Sequence, residues 1–221
     1  SNDPSEWTTW RRKLRRALRK TLCLSRLGPV PTPQPVVLET KACDGYRREK
    51  IAYEVLKDNW VTAYLLIPES RRKKPAVICP HGHVTGCKEN VVGNTTPGGV
   101  ASAHELAQRG CVTLAPDNAG MGERSAQRIR KDRVESTSCF LMWVRLNQMG
   151  LDLTGFRVFE LMAGLSLLSR HPDVDASRIG CAGLSGGCWL SQVLTSLDRR
   201  IKAVILSGFF TTFTQTIWHG H

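Results

Sequence analysis

The chain has no Asp or Glu after Asp198, no CxxC pair and no long apolar run. Each shortage excludes something. Nothing approaches the roughly 18–20 consecutive apolar residues that a membrane span needs. Without CxxC pairs or Cys/His clusters at zinc spacing, the eight cysteines give no zinc finger and no thioredoxin-like redox pair, and no metal site is expected. Several of them fall inside predicted strands, where cysteine behaves as a small apolar residue. That placement suggests a reducing compartment, so the expected location leans cytoplasmic, although eight cysteines also permit disulfides. The N-terminus is too basic and interrupted for an intact signal peptide. Ser1-Asn2 has the look of a cloning scar, which leaves a removed export signal open.

Acidic residues are few as well: 19 Asp+Glu stand against 31 Lys+Arg, a formal net charge of +12. Such a balance can mark nucleic-acid binding until the charges are located. Arg11, Arg12, Lys13, Arg15, Arg16, Arg19, Lys20 and Arg26 crowd one N-terminal stretch, opposed only by Asp3 and Glu6. About half of the net charge is therefore local. Another basic run, Arg71-Arg72-Lys73-Lys74, sits at a predicted turn. Solvated surface charge is the expectation, with no nucleic-acid partner and no membrane. An anionic or membrane surface is the rival reading of the N-terminal stretch.

What is present is ordinary for a globular domain: 221 residues, 41% hydrophobic and 23% charged, enough for one sizeable core. Asp3, Pro4 and Glu6 read as a helix start, with Asp3 as cap and Glu6 closing a capping box. Trp7, Trp10, Leu14, Ala17 and Leu18 recur at helical spacing, which predicts an amphipathic helix over 4–26 packing on the domain. Pro29, Pro31, Pro33 and Pro35 punctuate a linker to about residue 36. The division is thus 1–36, helix and linker, and 37–221, the main domain. Lys50 to Leu56 and Trp60 to Ile67, joined by Lys57-Asp58-Asn59, predict a hairpin at an antiparallel edge of the sheet.

From Pro75 onward, strand and helix alternate. Ala76 to Cys79 and Cys111 to Ala115 are continuous apolar runs of the kind buried on both faces of a parallel sheet. Gly99 to Arg109 reads as a helix closed by Gly110. Residues 116–135 read as a long loop. Phe156 to Arg170 is a helix, Arg178 to Ala182 a strand, Gly187 to Leu197 a helix and Ile201 to Leu206 a strand. That order predicts an α/β fold with a mostly parallel sheet and an antiparallel N-terminal hairpin.

Gly183-Leu184-Ser185-Gly186-Gly187 carries the chemistry. A serine hydroxyl is a poor nucleophile unless it is exposed, activated and set beside oxyanion donors. A sharp strand-to-helix turn does the positioning, and it crowds the backbone, so small residues are needed two before and two after the serine. Gly183 and Gly187 meet that need, making Ser185 the candidate nucleophile. The backbone N–H of Gly186 is one candidate oxyanion donor. The loop Pro80-His81-Gly82-His83 follows an earlier strand, and the N–H of His83 is assigned as the second, with Gly82 allowing a close approach and His81 shaping the site. Asp117, after the strand at 111–115, is expected to accept backbone N–H bonds and fix its loop rather than serve as a triad acid. His104 and His171 read as structural.

These motifs, with Gly45 to Glu54, Trp60 to Pro68 and Pro116 to Glu123, resemble the α/β-hydrolases related to acetyl xylan esterases, cephalosporin-C deacetylases and dienelactone hydrolases. The resemblance covers about 36–221. It implies a serine esterase working through an acyl-serine intermediate, with no metal and no cofactor, on a small-molecule or carbohydrate-linked ester. Homo-oligomerisation stays open. The resemblance also implies an acid and a histidine on later strands, and the sequence departs from that pattern. Only 36 residues follow Ser185, and His219 and His221 are the only later histidines, expected at the mouth or surface. The expectation is a hydrolase whose last strands, acid and histidine lie past His221. The alternative is a hydrolase-fold binding protein, or a fragment, lacking the triad Asp and His.

Overall fold

The computed structural model describes residues 3–70, 72–95, 100–125 and 136–212. Seven strands form one sheet: β1 (Pro35–Cys43), β2 (Tyr46–Leu56), β3 (Asn59–Pro68), β4 (Lys74–Ile78), β5 (Val112–Pro116), β6 (Val174–Leu184) and β7 (Ile201–Ser207). Their spatial order is β1-β2-β3-β5-β4-β6-β7. β1, β2, β3 and β5 pair antiparallel, and β5, β4, β6 and β7 run parallel.

The helices are α1 (Pro4–Thr21), α2 (Lys88–Val91), α3 (Ser102–Gln108), α4 (Ser136–Gln148), α5 (Leu153–Arg170) and α6 (Gly186–Leu197). Helices cover both sheet faces because the strands alternate. Ile51, Ala63, Leu65, Ile78 and Leu114 point to one face, where they pack with Phe159, Leu165 and Leu168 of α5 and Leu194 of α6. Tyr64, Leu66, Cys79 and Ala115 point to the other, against Ala103 and Ala107 of α3. α5 is the central helix: everything from Gly155 to Leu168 is buried. Asp152 caps it, its carboxylate accepting from the Gly155 N–H at 2.7 Å.

The parallel region follows the expected order, and the differences have physical causes. The β2–β3 hairpin forms with its turn at Lys57-Asp58, but it is not the sheet edge, because β1 adds outside it. β1 escapes pattern reading because Val36, Val37 and Leu38 are all about half exposed, so it shows no apolar face. α1 ends at Thr21 rather than near 26. Cys23 turns left-handed at φ 53° and starts a short 3-10 turn, Leu24–Arg26. Asp3 caps α1 by accepting from the Ser5 N–H at 2.8 Å. Leu18 packs against the core, but no residue of α1 is buried, and Trp7 and Trp10 stack on each other in solvent. The expected loop at 116–135 contains a 3-10 turn, Gly122–Arg124. Residues 126–135 and the histidines His219 and His221 lie outside the described residues. Among the described residues no helix is long and apolar enough to cross a membrane.

The site's position follows from the strand order. The chain leaves β4 for β5 on one side and later returns to β6 on the other, so the crossovers diverge around β4. In open α/β sheets the crevice beyond the carboxyl ends of strands at such a point is where sites form. The loops after β4, β5 and β6 all open there.

Candidate functional site

Ser185 ends β6 and begins α6, at φ 56° and ψ −121°. A non-glycine residue in that region carries about 1–3 kcal/mol of backbone strain and persists only where its surroundings impose it. They do so closely. The Ser185 N–H donates to Ser207 O at the end of β7 (2.9 Å), and Ser185 O accepts from the Trp189 N–H in the first turn of α6 (3.1 Å). A side chain on Gly183 would collide with the backbone of Gly187 and the Ser191 hydroxyl, and one on Gly187 would collide with the carbonyl of Pro80. The two glycines therefore let β6, α6 and the loop after β4 meet. Ser185 itself remains exposed.

That loop packs on this strand-to-helix elbow at Ser185. A Cβ on Gly82 would sit 2.7 Å from Leu184 O and 3.3 Å from Gly186 N, and one on Gly186 would sit 3.0 Å from His83 Nδ1. Gly82, His83, Ser185 and Gly186 are thus brought together. A cleft of about 470 Å³ opens beside them, with Leu106, Leu184 and Ile205 among its walls. Among the described residues no histidine or carboxylate hydrogen-bonds the Ser185 hydroxyl. His104 instead pairs through Nδ1 with the Tyr46 hydroxyl (2.8 Å), and His171 caps the C-terminus of α5. Asp198 holds Arg200 at 2.5 Å.

His81 fixes the loop from inside. Its ring is buried; Nδ1 donates to Gly82 O (2.8 Å), and Nε2 accepts from the Asn118 N–H (3.1 Å). Asn118 also donates its side-chain amide to His81 O at 2.8 Å. Both ring nitrogens are committed to the neutral tautomer, and burial pushes the pKa down to about 4. Asp117 Oδ1 lies 3.6 Å from Nε2, but that approach is no ion pair while the ring is neutral. The depressed value has a sign. Unfolding releases His81 to about 6.5, so below that pH the unfolded state binds a proton the native state refuses. Stability is present above the unfolded value and is lost as pH falls toward 4. Between pH 7 and 5 this histidine is expected to cost about 2 kcal/mol. Urea unfolding at both pH values checks it, since His81→Gln should remove most of that slope.

Asp117 is tied into a buried ionic knot. Its carboxylate accepts from Lys88 Nζ (2.5 Å), Thr62 Oγ1 (3.2 Å) and the Glu123 N–H (3.2 Å). Gly122 passes so close that a side chain there would overlap the carboxylate. Lys88, 1% exposed, also lies 3.3 Å from Glu123 Oε2. Burial raises the Glu123 pKa, but Lys50 and Lys88 outweigh it and hold the group low. Beside this knot, Arg124 makes a bidentate pair with Glu160 of α5 at 2.7 and 2.5 Å. His81, Cys87 and Asp117 offer ligand atoms within 4.8 Å of one another. The donor set suits a cation poorly, because the Lys88 ammonium occupies the carboxylate and the Asn118 N–H occupies Nε2.

The sequence singled out neither Lys88, Asn118, Arg124, Arg157 nor Glu160. Lys88 gives no signal at the start of the four-residue α2. Arg157 and Glu160 do, as charged residues inside an otherwise apolar helix.

The sequence profile of the Abhydrolase family matches residues 2–217. YtaP of Bacillus subtilis (strain 168), which carries the name of a hydrolase, is 26% identical over 199 residues, covering 86% of this chain and 63% of its own. BF1801 of Bacteroides fragilis NCTC 9343, named as an acetyl xylan esterase, superposes with a TM-score of 0.80 at 24% identity, over 91% of this chain and 53% of its own. Methylesterase BT1017 gives 0.70 at 26% identity, over 92% and 42%. The chain therefore spans about half the length of these relatives. The shared architecture is the α/β-hydrolase fold.

Proposed function

This chain belongs to the Abhydrolase family, and on that premise we propose that it carries the nucleophile and oxyanion hole of a serine carboxylic-ester hydrolase. The observation that carries the reading is Ser185, exposed and strained at φ 56° on a strand-to-helix turn whose flanking glycines admit no side chain. The Ser185 oxygen attacks the ester carbonyl. The N–H groups of Gly186 and His83 stabilise the resulting oxyanion, a contribution of about 100- to 1000-fold in rate per donor. The alcohol leaves, and water hydrolyses the acyl-serine. Gly82 and His81 hold the oxyanion loop in place, and Asp117 anchors the neighbouring loop through Lys88. The reaction also needs a base for the Ser185 proton, and among the described residues no histidine or carboxylate hydrogen-bonds its hydroxyl.

The names of the structural relatives, acetyl xylan esterase and methylesterase, support a small or carbohydrate-linked ester as substrate. A hydrolase-fold binding protein without turnover is the competing reading, favoured by the lack of a base on Ser185 among the described residues. The natural full-length protein assayed with p-nitrophenyl acetate and with acetylated xylo-oligosaccharide separates the two. Saturable hydrolysis of either ester is expected. Saturable binding of the oligosaccharide with no turnover of either would favour the binding protein.

A further inference from the structure

Arg157 is a buried cation with no carboxylate partner among the described residues. It is 8% exposed on α5, and among the described residues no Asp or Glu lies within 4 Å of its guanidinium. Its partners are Ala119 O, which accepts from Nε (3.0 Å) and Nη2 (2.6 Å), and the sulfur of Cys139, 3.1 Å from Nη2. A buried charge costs several kcal/mol unless it meets an opposite one. Among the described residues, the group placed to supply that charge is Cys139 on α4. Its sulfur also lies 3.5 Å from His83 Nε2, a second potential donor.

We propose that Cys139 is held as a thiolate between Arg157 and His83 and is a modification site for hydroperoxides at the rim of the Ser185 site. The thiolate lone pair attacks the terminal peroxide oxygen. An S–O bond forms and the O–O bond breaks. Hydroxide or alkoxide leaves and takes up the proton carried by the transferred oxygen. The sulfur is oxidised to a sulfenate, and the peroxide is reduced to water or an alcohol.

Two features support this beyond the pairing itself. Burial would raise the thiol pKa, but the hydrogen bond from His83 and the Arg157 charge overcome it and bring the value down to about 7. These are the two titratable groups that face the sulfur among the described residues. Cys139 is also only half-buried, whereas Cys79, Cys87, Cys181 and Cys188 are enclosed in the core. Cys111 supplies the contrast: it is similarly accessible, but burial raises its pKa. The rim position matters because His83 Nδ1 lies against Gly186. An oxidised or alkylated sulfur cannot keep the same contact with Nε2, so the loop carrying the candidate oxyanion donor must adjust.

The test is iodoacetamide alkylation of the natural full-length protein with peptide mass mapping from pH 5 to 10. Here an S–C bond forms and iodide leaves. Half-maximal reactivity of Cys139 is expected near pH 7, with a rate at that pH about tenfold or more above Cys111. Arg157→Gln is expected to move the midpoint up by about one unit or more, and Arg157→Lys to keep most of the shift. A wild-type midpoint at 8.5 or above overturns the thiolate whatever the variants do. Hydrogen peroxide followed by dimedone should tag Cys139 ahead of the other cysteines, and equal tagging of Cys111 overturns the peroxide step. A last readout rests on the proposed esterase function: full alkylation should lower p-nitrophenyl acetate hydrolysis by at least fivefold in wild type, while Cys139→Ser retains basal activity and resists. Complete Cys139 alkylation with activity unchanged overturns the coupling to the site and leaves the esterase reading standing.

Discussion

Ser185→Ala in the natural full-length protein is expected to lower ester hydrolysis about 10⁴-fold or more, with folding unchanged. Removing a serine nucleophile leaves only what the oxyanion hole and substrate binding supply, which is why such losses are large. Stability should hold or rise slightly. Ser185 is exposed, so its hydroxyl contributes little to packing. Alanine keeps the Cβ and the positive φ, so the strain of about 1–3 kcal/mol persists. Ser185→Gly should relieve that strain while also abolishing turnover. A gain of about 1 kcal/mol in urea unfolding, together with lost activity, would show that this backbone conformation is maintained for chemistry. The elbow also gives the loss a specific form. With the proposed Gly186 and His83 donors intact, the carbonyl oxygen of a bound ester should still be held, so KM should change little while kcat falls.

The largest effect on stability is expected at Lys88, a residue with no chemical role in the proposed reaction. Its ammonium is fully enclosed and lies 2.5 Å from Asp117, itself 1% exposed. Lys88→Met removes the cation and leaves a buried carboxylate supported, among the described residues, by Thr62 and backbone N–H groups. Breaking a buried pair in this one-sided way costs about 3–5 kcal/mol. For a domain of this size that corresponds to a fall in Tm on the order of 10 °C. The double variant Lys88→Met, Asp117→Asn removes both charges and should recover much of the loss. A loss below about 1 kcal/mol for Lys88→Met would mean that the pair is solvated and does not anchor the loop. The consequence for function is indirect. Asp117 and Asn118 form one segment, and Asn118 grips His81 from both sides, so loosening Asp117 should also loosen the loop that carries His83.

The parallel half of the sheet was legible because its strands are apolar runs separated by helices of the right length. The elbow was legible for the same reason: Gly183 and Gly187 flank a serine where a strand hands over to a helix, and steric crowding there admits few alternatives. β1 was not legible from periodicity, since it lies at the sheet edge with both faces largely in solvent. The local signal that could have found it is Asp44-Gly45, a hairpin dipeptide between β1 and β2, where Gly45 takes φ 78°. α4 was missed for a related reason. Leu146 packs inward, but Phe140 and Trp143 stand in solvent, so no single apolar stripe runs along it. The ionic knot lay beyond sequence reading altogether. Lys88 and Asp117 are 29 residues apart, and Arg124 and Glu160 are 36 apart. Only the fold of the sheet brings the loops after β4 and β5 together, and no local spacing encodes that meeting.

The most direct measurement is active-site labelling with a fluorophosphonate probe, followed by peptide mapping, on the natural full-length protein and on Ser185→Ala. A single phosphonylated residue, Ser185, is expected in the wild type and no adduct in the variant. Equal labelling of both, or an adduct on a different serine, would contradict the assignment of Ser185 as the nucleophile.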